Sequence, residues 1–215
     1  MSNSQTLKQM NFSFGKLNIT ASVEKRLASI GYSVDSLEAA IDYHKTSSDG
    51  QPAIYCGSWG KYNNGSLRGM WINIASFNDF GEFINFCKAI HSDEYDPEFM
   101  DQDYEGIPTS LINKNVFTPE GFEAIKLYCS MCSQYGAEAV NDYMEINDDL
   151  EYFEENFCGI YDSEEDFARS IAEETLDLEN KMGDLSIYFD YEAFARDLFL
   201  FDYYMGSNGH VFRRY

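Results

Sequence analysis

The sequence predicts an α+β fold. Two β-rich segments, PAIYCGSW and SLRGMWINI, flank an Asn64-Gly65 pair whose glycine supplies the positive φ of a reversing turn. Several further stretches repeat apolar residues at helical spacing, each opened by a capping residue. Aromatic residues are abundant throughout, with 17 Phe, 16 Tyr and 2 Trp, so even the most acidic part of the chain has the means to bury a core.

In order, residues 1–50 read as a helical extension. Thr20 caps a helix through Ile30 that Gly31 stops, and Ser33 caps a second helix with Val34, Leu37, Ala40 and Ile41 as its apolar stripe. Two short helices meeting at a glycine invite a helix-turn-helix reading, but Asp35, Glu38 and Asp42 make the second helix acidic where a recognition helix is basic. The run Thr46-Ser47-Ser48-Asp49-Gly50 reads as a linker. Residues 51–112 form an α+β domain: an antiparallel hairpin about Lys61-Tyr62-Asn63-Asn64-Gly65, a helix started by Ser76 with Asp79 and carrying Phe80, Phe83, Ile84, Cys87 and Ile90 on one face, and a return strand over Phe99–Tyr104.

Residues 113–155 read as a helical domain. Thr118-Pro119 is a cap followed by proline at the first helical position, and Gly136 is a natural stop. Asp148 caps a further helix whose Leu150, Phe153 and Phe157 point inward. Residues 156–215 read as an acidic α+β domain. Ser163 starts a helix carrying Phe167, Ile171 and Leu178 on one side and Asp166, Glu173 and Asp177 in a row on another; Asp190–Leu200 is amphipathic; Tyr203-Tyr204-Met205 and His210-Val211-Phe212 close a hairpin about Gly206-Ser207-Asn208-Gly209.

Charge is sharply segregated. Residues 92–204 hold 30 acids against 5 bases, about −25, while residues 1–91 carry 7 acids and 8 bases and residues 205–215 only Arg213 and Arg214, which together give the −22 of the chain. Such a concentration stores self-repulsion and calls for a local purpose, because a salt-adapted surface would be acidic throughout. An acidic chain of this kind is not expected to bind nucleic acid or an anionic membrane directly. No apolar run reaches the roughly 20 residues of a membrane span, and the start lacks an apolar signal core, so a cytoplasmic protein is expected. Five scattered cysteines fit reduced thiols, and Cys129-x-x-Cys132 on an apolar helix face fits core packing.

The acids suggest chemistry only to withdraw it. Asp101-x-Asp103-x-Glu105-Gly106 imitates the first half of a calcium loop, yet Ile112 stands where its bidentate glutamate belongs. Hydrolysis by paired carboxylates has no specific support among 37 acids, and His44, His91 and His210 accompany no nucleophile motif. No catalytic residue, metal or cofactor is expected, although a carboxylate-dependent hydrolase stays as an alternative. The better reading is imitation of nucleic acid. DNA carries about one negative charge per 1.7 Å of axis, and acidic residues three or four apart on a helix have their Cβ atoms about 5–6 Å apart.

Three motifs, AIYCGSWGKYNNGSLRGMWINI, EEDFARSIAEET and FDYEAFARDLFL with the later SNGHVF, resemble those of the ArdA antirestriction proteins of conjugative plasmids and transposons, in the family's order and over about Pro52 to Phe212. Lys181-Met182-Gly183-Asp184 stands where relatives commonly carry a proline, Phe189 where an Ile usually precedes the Asp-Tyr pair, and the first 50 residues have no counterpart. The resemblance implies an elongated, curved homodimer of small domains that is shaped and charged like bent B-form DNA. It also implies competitive blocking of Type I restriction-modification enzymes at their specificity and methyltransferase subunits. An acidic mimic aimed at some other DNA-binding client is the neighbouring alternative. The expected phosphate surrogates are Asp148, Asp149, Glu151, Glu154, Glu155, Asp162, Glu164, Glu165, Asp166, Glu173, Asp177 and Glu179.

Overall fold

A computed structural model describes residues 8–12, 14–47 and 50–214; Ser48 and Asp49 of the expected linker lie outside the described residues. The chain is mixed helix and sheet and separates into two compact units, residues 1–130 and 131–215.

Unit 1 opens with an element the sequence does not announce, an antiparallel hairpin of β1 (Lys8–Phe12) and β2 (Gly15–Ile19). Its alternation is sparse but real: Met10, Leu17 and Ile19 are buried while their polar neighbours face out. The two expected helices follow as α1 (Ala21–Ser29), capped by the Thr20 hydroxyl, and α2 (Val34–His44), opened by a reciprocal Ser33–Ser36 capping box. The leading segment is therefore not purely helical. It is also bound into the unit. The Thr46 amide donates to the Trp71 carbonyl at 3.2 Å, the Asn73 amide to the His44 carbonyl at 3.0 Å, and Lys45 bridges Ile72.

The central sheet has the order β4 (Met70–Ile72), β3 (Ala53–Ser58), β5 (Phe99–Glu105), antiparallel throughout, with all of β3 buried. The hairpin turn expected between β3 and β4 is instead a helical turn, α3 (Trp59–Asn63). Ser58 causes it by accepting the Lys61 amide at its cap, and only Gly65, at φ +75°, takes the positive φ. Helix α4 (Phe80–Ile90) starts not at the expected Ser76, which ends a preceding 3-10 turn, but at Asp79, whose carboxylate accepts the Glu82 amide at 2.8 Å. Phe83, Phe86, Cys87 and Ile90 from α4 are buried; Phe77 meets the Phe83 and Phe86 rings, and Phe122 stacks on Phe83. After α5 (Thr109–Ile112), α6 (Pro119–Tyr135) runs between the two expected signals, Thr118 accepting from Gly121 and Gly136 ending it at φ +87°. The acids Asp101, Asp103 and Glu105 lie along strand β5.

Unit 2 takes in the last residues of α6 and continues with α7 (Ala137–Met144). Asp148 does not cap the helix expected after it: Tyr152 holds the cap position without a side-chain bond, and the helix contracts to one turn, α8 (Phe153–Asn156), because Phe157 leaves it to begin β6 (Phe157–Ile160) and pair with Phe212. Helix α9 (Glu164–Thr175) is capped by Ser163, whose hydroxyl accepts the Asp166 amide at 3.1 Å. A short α10 (Leu178–Met182) and a 3-10 stretch (Gly183–Tyr188) lead to α11 (Tyr191–Phe201), capped by Asp190. The closing hairpin of β7 (Tyr203–Met205) and β8 (His210–Arg213) forms as the sequence indicates, and β6 adds to it in the order β6-β8-β7. The core of this unit is largely aromatic. Phe153 stacks on Phe157 and meets Tyr143 and Phe212, while Phe167 meets Tyr161, Phe199 and Tyr203.

Among the described residues, no helix is long and apolar enough to cross a membrane.

Candidate functional site

All twelve expected phosphate surrogates belong to unit 2, and all twelve side chains are exposed. The fold distributes them over three places. Asp148, Asp149 and Glu151 sit on the turn that follows α7, Glu154 and Glu155 on the single turn of α8, and the remainder on α9, its approach and α10. Glu164, Glu165 and Asp166 occupy the first turn of α9, where unpaired backbone N–H groups and the helix dipole favour negative charge. Glu173 follows two turns after Asp166 on the same helix.

The expected row of Asp166, Glu173 and Asp177 is interrupted. Helix α9 ends at Thr175, and Asp177 takes a left-handed conformation at φ +51°, so it leaves the stripe on which a continuous helix would hold it. Its carboxylate accepts from Asn180 Nδ2 at 2.8 Å.

Hydrogen bonding divides the twelve in two. Glu165 pairs with Arg169 at 3.0 Å, Asp166 accepts the Ser163 hydroxyl at 2.7 Å, Glu154 accepts the Tyr135 hydroxyl at 3.0 Å, and Asp149 accepts the Glu151 amide at 3.2 Å. With Asp177, these five carboxylates are already engaged. Asp148, Glu151, Glu155, Asp162, Glu164, Glu173 and Glu179 make no side-chain hydrogen bond or ion pair among the described residues, and all seven face solvent. Arg169 is a rare cation in this unit. Its guanidinium lies 4.0 Å from the centroid of the Tyr191 ring and so ties α9 to the start of α11.

Sequence reasoning missed what anchors the closing hairpin. Asp142, buried on α7, accepts from Asn208 Nδ2 at 2.8 Å, the Asn208 amide at 3.1 Å and the Ser207 hydroxyl at 3.3 Å, and lies 2.7 Å from His210 Nδ1. Burial opposes its ionisation, but the His210 and Asn208 hydrogen bonds outweigh burial and hold the carboxyl below the usual aspartate range. The SNGH stretch is thus read by a single buried carboxylate. The only signal in the sequence is an isolated Asp on the apolar side of a helix.

Unit 1 hides a second set of charges. Lys61 and Arg68 are almost wholly buried; Lys61 Nζ lies 3.1 Å from Asp93 and contacts Glu94, and Arg68 contacts Asp93 and donates to the Ile90 carbonyl at 2.9 Å. Burial pushes Glu94 up, yet hydrogen bonds from His91, Lys61 and Ser58 bring it down to about 2. Two of the thirty acids in the negative segment, Asp93 and Glu94, are therefore already paired with cations of unit 1.

No curated protein matches the chain. The model of the family described as antirestriction protein (ArdA) matches residues 54–212, from the central strand of unit 1 to the last strand of unit 2, about three quarters of the sequence. On that match the chain belongs to the ArdA antirestriction family.

Proposed function

We propose that this antirestriction protein works without catalysis, by occupying the DNA groove of a Type I restriction-modification enzyme in place of duplex DNA. The observation that carries the proposal is the set of seven unengaged carboxylates on an aromatic-packed unit. Each offers a Lys or Arg of the specificity and methyltransferase subunits what a phosphate offers, a localised negative charge that accepts hydrogen bonds. Aromatic packing beneath the acids limits the conformational entropy lost on binding, which a loose acidic tail would forfeit. The five engaged acids of the predicted twelve add to the field without being free to reorient. In this reading the protein acts in the cytoplasm, where such enzymes meet DNA, and requires no cofactor.

The test is cleavage of unmodified DNA by a Type I enzyme with the protein titrated in, repeated over a range of salt. Competitive block is expected to be relieved by excess DNA and to weaken steadily as salt rises, as for a polyanion on a basic groove. A block that is insensitive to salt would sink electrostatic imitation. Following methyl transfer in the same mixtures tells whether modification stops as well. Capture of a different DNA-binding protein, with cleavage untouched, would favour the other-client reading.

The protein is further inferred to act as a homodimer. Support comes from unit 2, where Leu185, Ile187, Tyr188, Leu200 and Phe201 are between 58% and 78% exposed, an unusual amount of bare apolar surface in so charged a sequence. Replacing Ile187 and Phe201 together by Glu is expected to convert the dimer to a monomer in sedimentation velocity with the far-UV circular dichroism unchanged. A double variant that still sediments as a dimer would move the pairing surface elsewhere.

A further inference from the structure

The geometry points to Cys56 and Cys87 as an oxidation-responsive pair that closes to a disulfide between strand β3 and helix α4. This inference is independent of the proposed mimicry.

The two sulfurs lie 3.6 Å apart in the core of unit 1, one on the central strand and one on the helix that covers it, 31 residues apart in the chain. That separation is a van der Waals contact between thiols, so side-chain rotation with slight backbone adjustment brings them to bonding distance. His91 Nε2 lies 4.0 Å from the Cys56 sulfur, and its other ring nitrogen is 3.1 Å from Lys61 Nζ. Burial opposes ionisation of Cys56, but hydrogen bonds from Cys87 and His91 and the charges of His91 and Lys61 outweigh it and hold this thiol below the ordinary range. Cys87 goes the other way, raised by burial and by its neighbour. One sulfur is thereby readied as the nucleophile and the other kept as a protonated partner, a division of roles that simple core packing does not require.

With a hydroperoxide as oxidant, the Cys56 thiolate attacks one peroxide oxygen. The O–O bond breaks, Cys56 becomes a sulfenic acid, and hydroxide leaves with the electron pair. The Cys87 sulfur then attacks the sulfenic sulfur; the S–O bond breaks, and the Cys87 proton and the departing hydroxide leave as water. Two thiol electrons have reduced the peroxide. Lys61 stands between these residues and the surface, because it also lines a cavity of about 400 Å³ with Lys16, Asn64, Ser66 and Arg68. Entry therefore requires the Lys61 side chain to swing aside, and oxidation is expected to be slow.

The experiment uses the full, unmodified chain. It is treated with hydrogen peroxide, quenched, unfolded, alkylated and digested without reduction. The expected result is a Cys56–Cys87 linked peptide lacking two hydrogens, which separates on adding dithiothreitol, together with a rise in melting temperature of about 5 °C that the reductant reverses. In Cys87→Ala, dimedone is expected to label Cys56. Cys56 and Cys87 still alkylatable after the half-exposed Cys132 and Cys158 have reacted would overturn the proposal, as would a linked protein that melts lower than the reduced one.

Discussion

Converting Asp148, Glu151, Glu155, Asp162, Glu164, Glu173 and Glu179 together to their amides is expected to weaken inhibition of a Type I enzyme by about a thousandfold. Any single conversion is expected to cost less than about tenfold. The estimate follows from charge pairs formed at a wet interface, each worth roughly 0.5–1 kcal/mol, so that seven amount to roughly 4 kcal/mol or more. The salt dependence should flatten in parallel, since each carboxylate removed is one fewer ion contact to screen. Folding is not expected to suffer, because all seven side chains are exposed and without a side-chain partner among the described residues, and their conversion relieves like-charge repulsion. Melting curves of the variant separate the two effects. A single amide that abolishes inhibition on its own would instead identify a catalytic carboxylate and return the hydrolase reading. Conversion of the five engaged acids should matter less for the enzyme and more for local order, most of all at Asp166, which also receives the hydroxyl of its own helix cap.

The second large effect is expected at Asp142. Replacement by Ala leaves Asn208, Ser207 and His210 without their common acceptor inside the protein, and the loss is expected to be about 3 kcal/mol. For a domain of this size that lowers the melting temperature of unit 2 on the order of 15 °C. Gly206→Ala tests the same contact from the opposite side. A Cβ there would stand 2.3 Å from both Cβ and Cγ of Asp142, so the turn would have to move off the carboxylate. The pH dependence has a definite sign. The folded carboxyl titrates below its unfolded value of about 3.9, so its contribution is complete above that value and is lost as pH falls through the lower, folded one. Urea melts from neutral pH down to strong acid should show unit 2 weakening only in that acidic window, and in Asp142→Ala the additional loss should vanish. An Asp142→Ala protein within 1 kcal/mol of the parent would mean that strand pairing alone holds the hairpin.

Helix starts were the most legible part of the fold. Thr20, Ser33, Thr118, Ser163 and Asp190 each open a helix as their residue types predict, because capping is a local hydrogen bond set by a few neighbouring residues. Strands fared worse where partners are distant. Leu150, Phe153 and Phe157 have spacings that suit a helix, and only pairing with Phe212 makes a strand of the last. The β1–β2 hairpin escaped notice because three buried residues among polar ones give little period-two signal. For the site, exposure of the twelve acids followed from charge alone. Which five are internally engaged did not, since Tyr135 reaches Glu154 only in the folded unit and Asp177 lost its place in the row to a helix end that no glycine or proline marks. The ion pairs about the buried Lys61 were equally hidden, being assembled from residues about thirty positions apart.

The main-chain bonds that Lys45, Thr46 and His44 make to β4 lie before residue 54, outside the region the family model matches. They occupy the outer border of a three-stranded sheet, a place where bare amides and carbonyls invite strands of other molecules. The segment before the matched region thus serves as a built-in selvedge for this sheet, and a fragment trimmed to residues 54–212 would expose the weave it finishes.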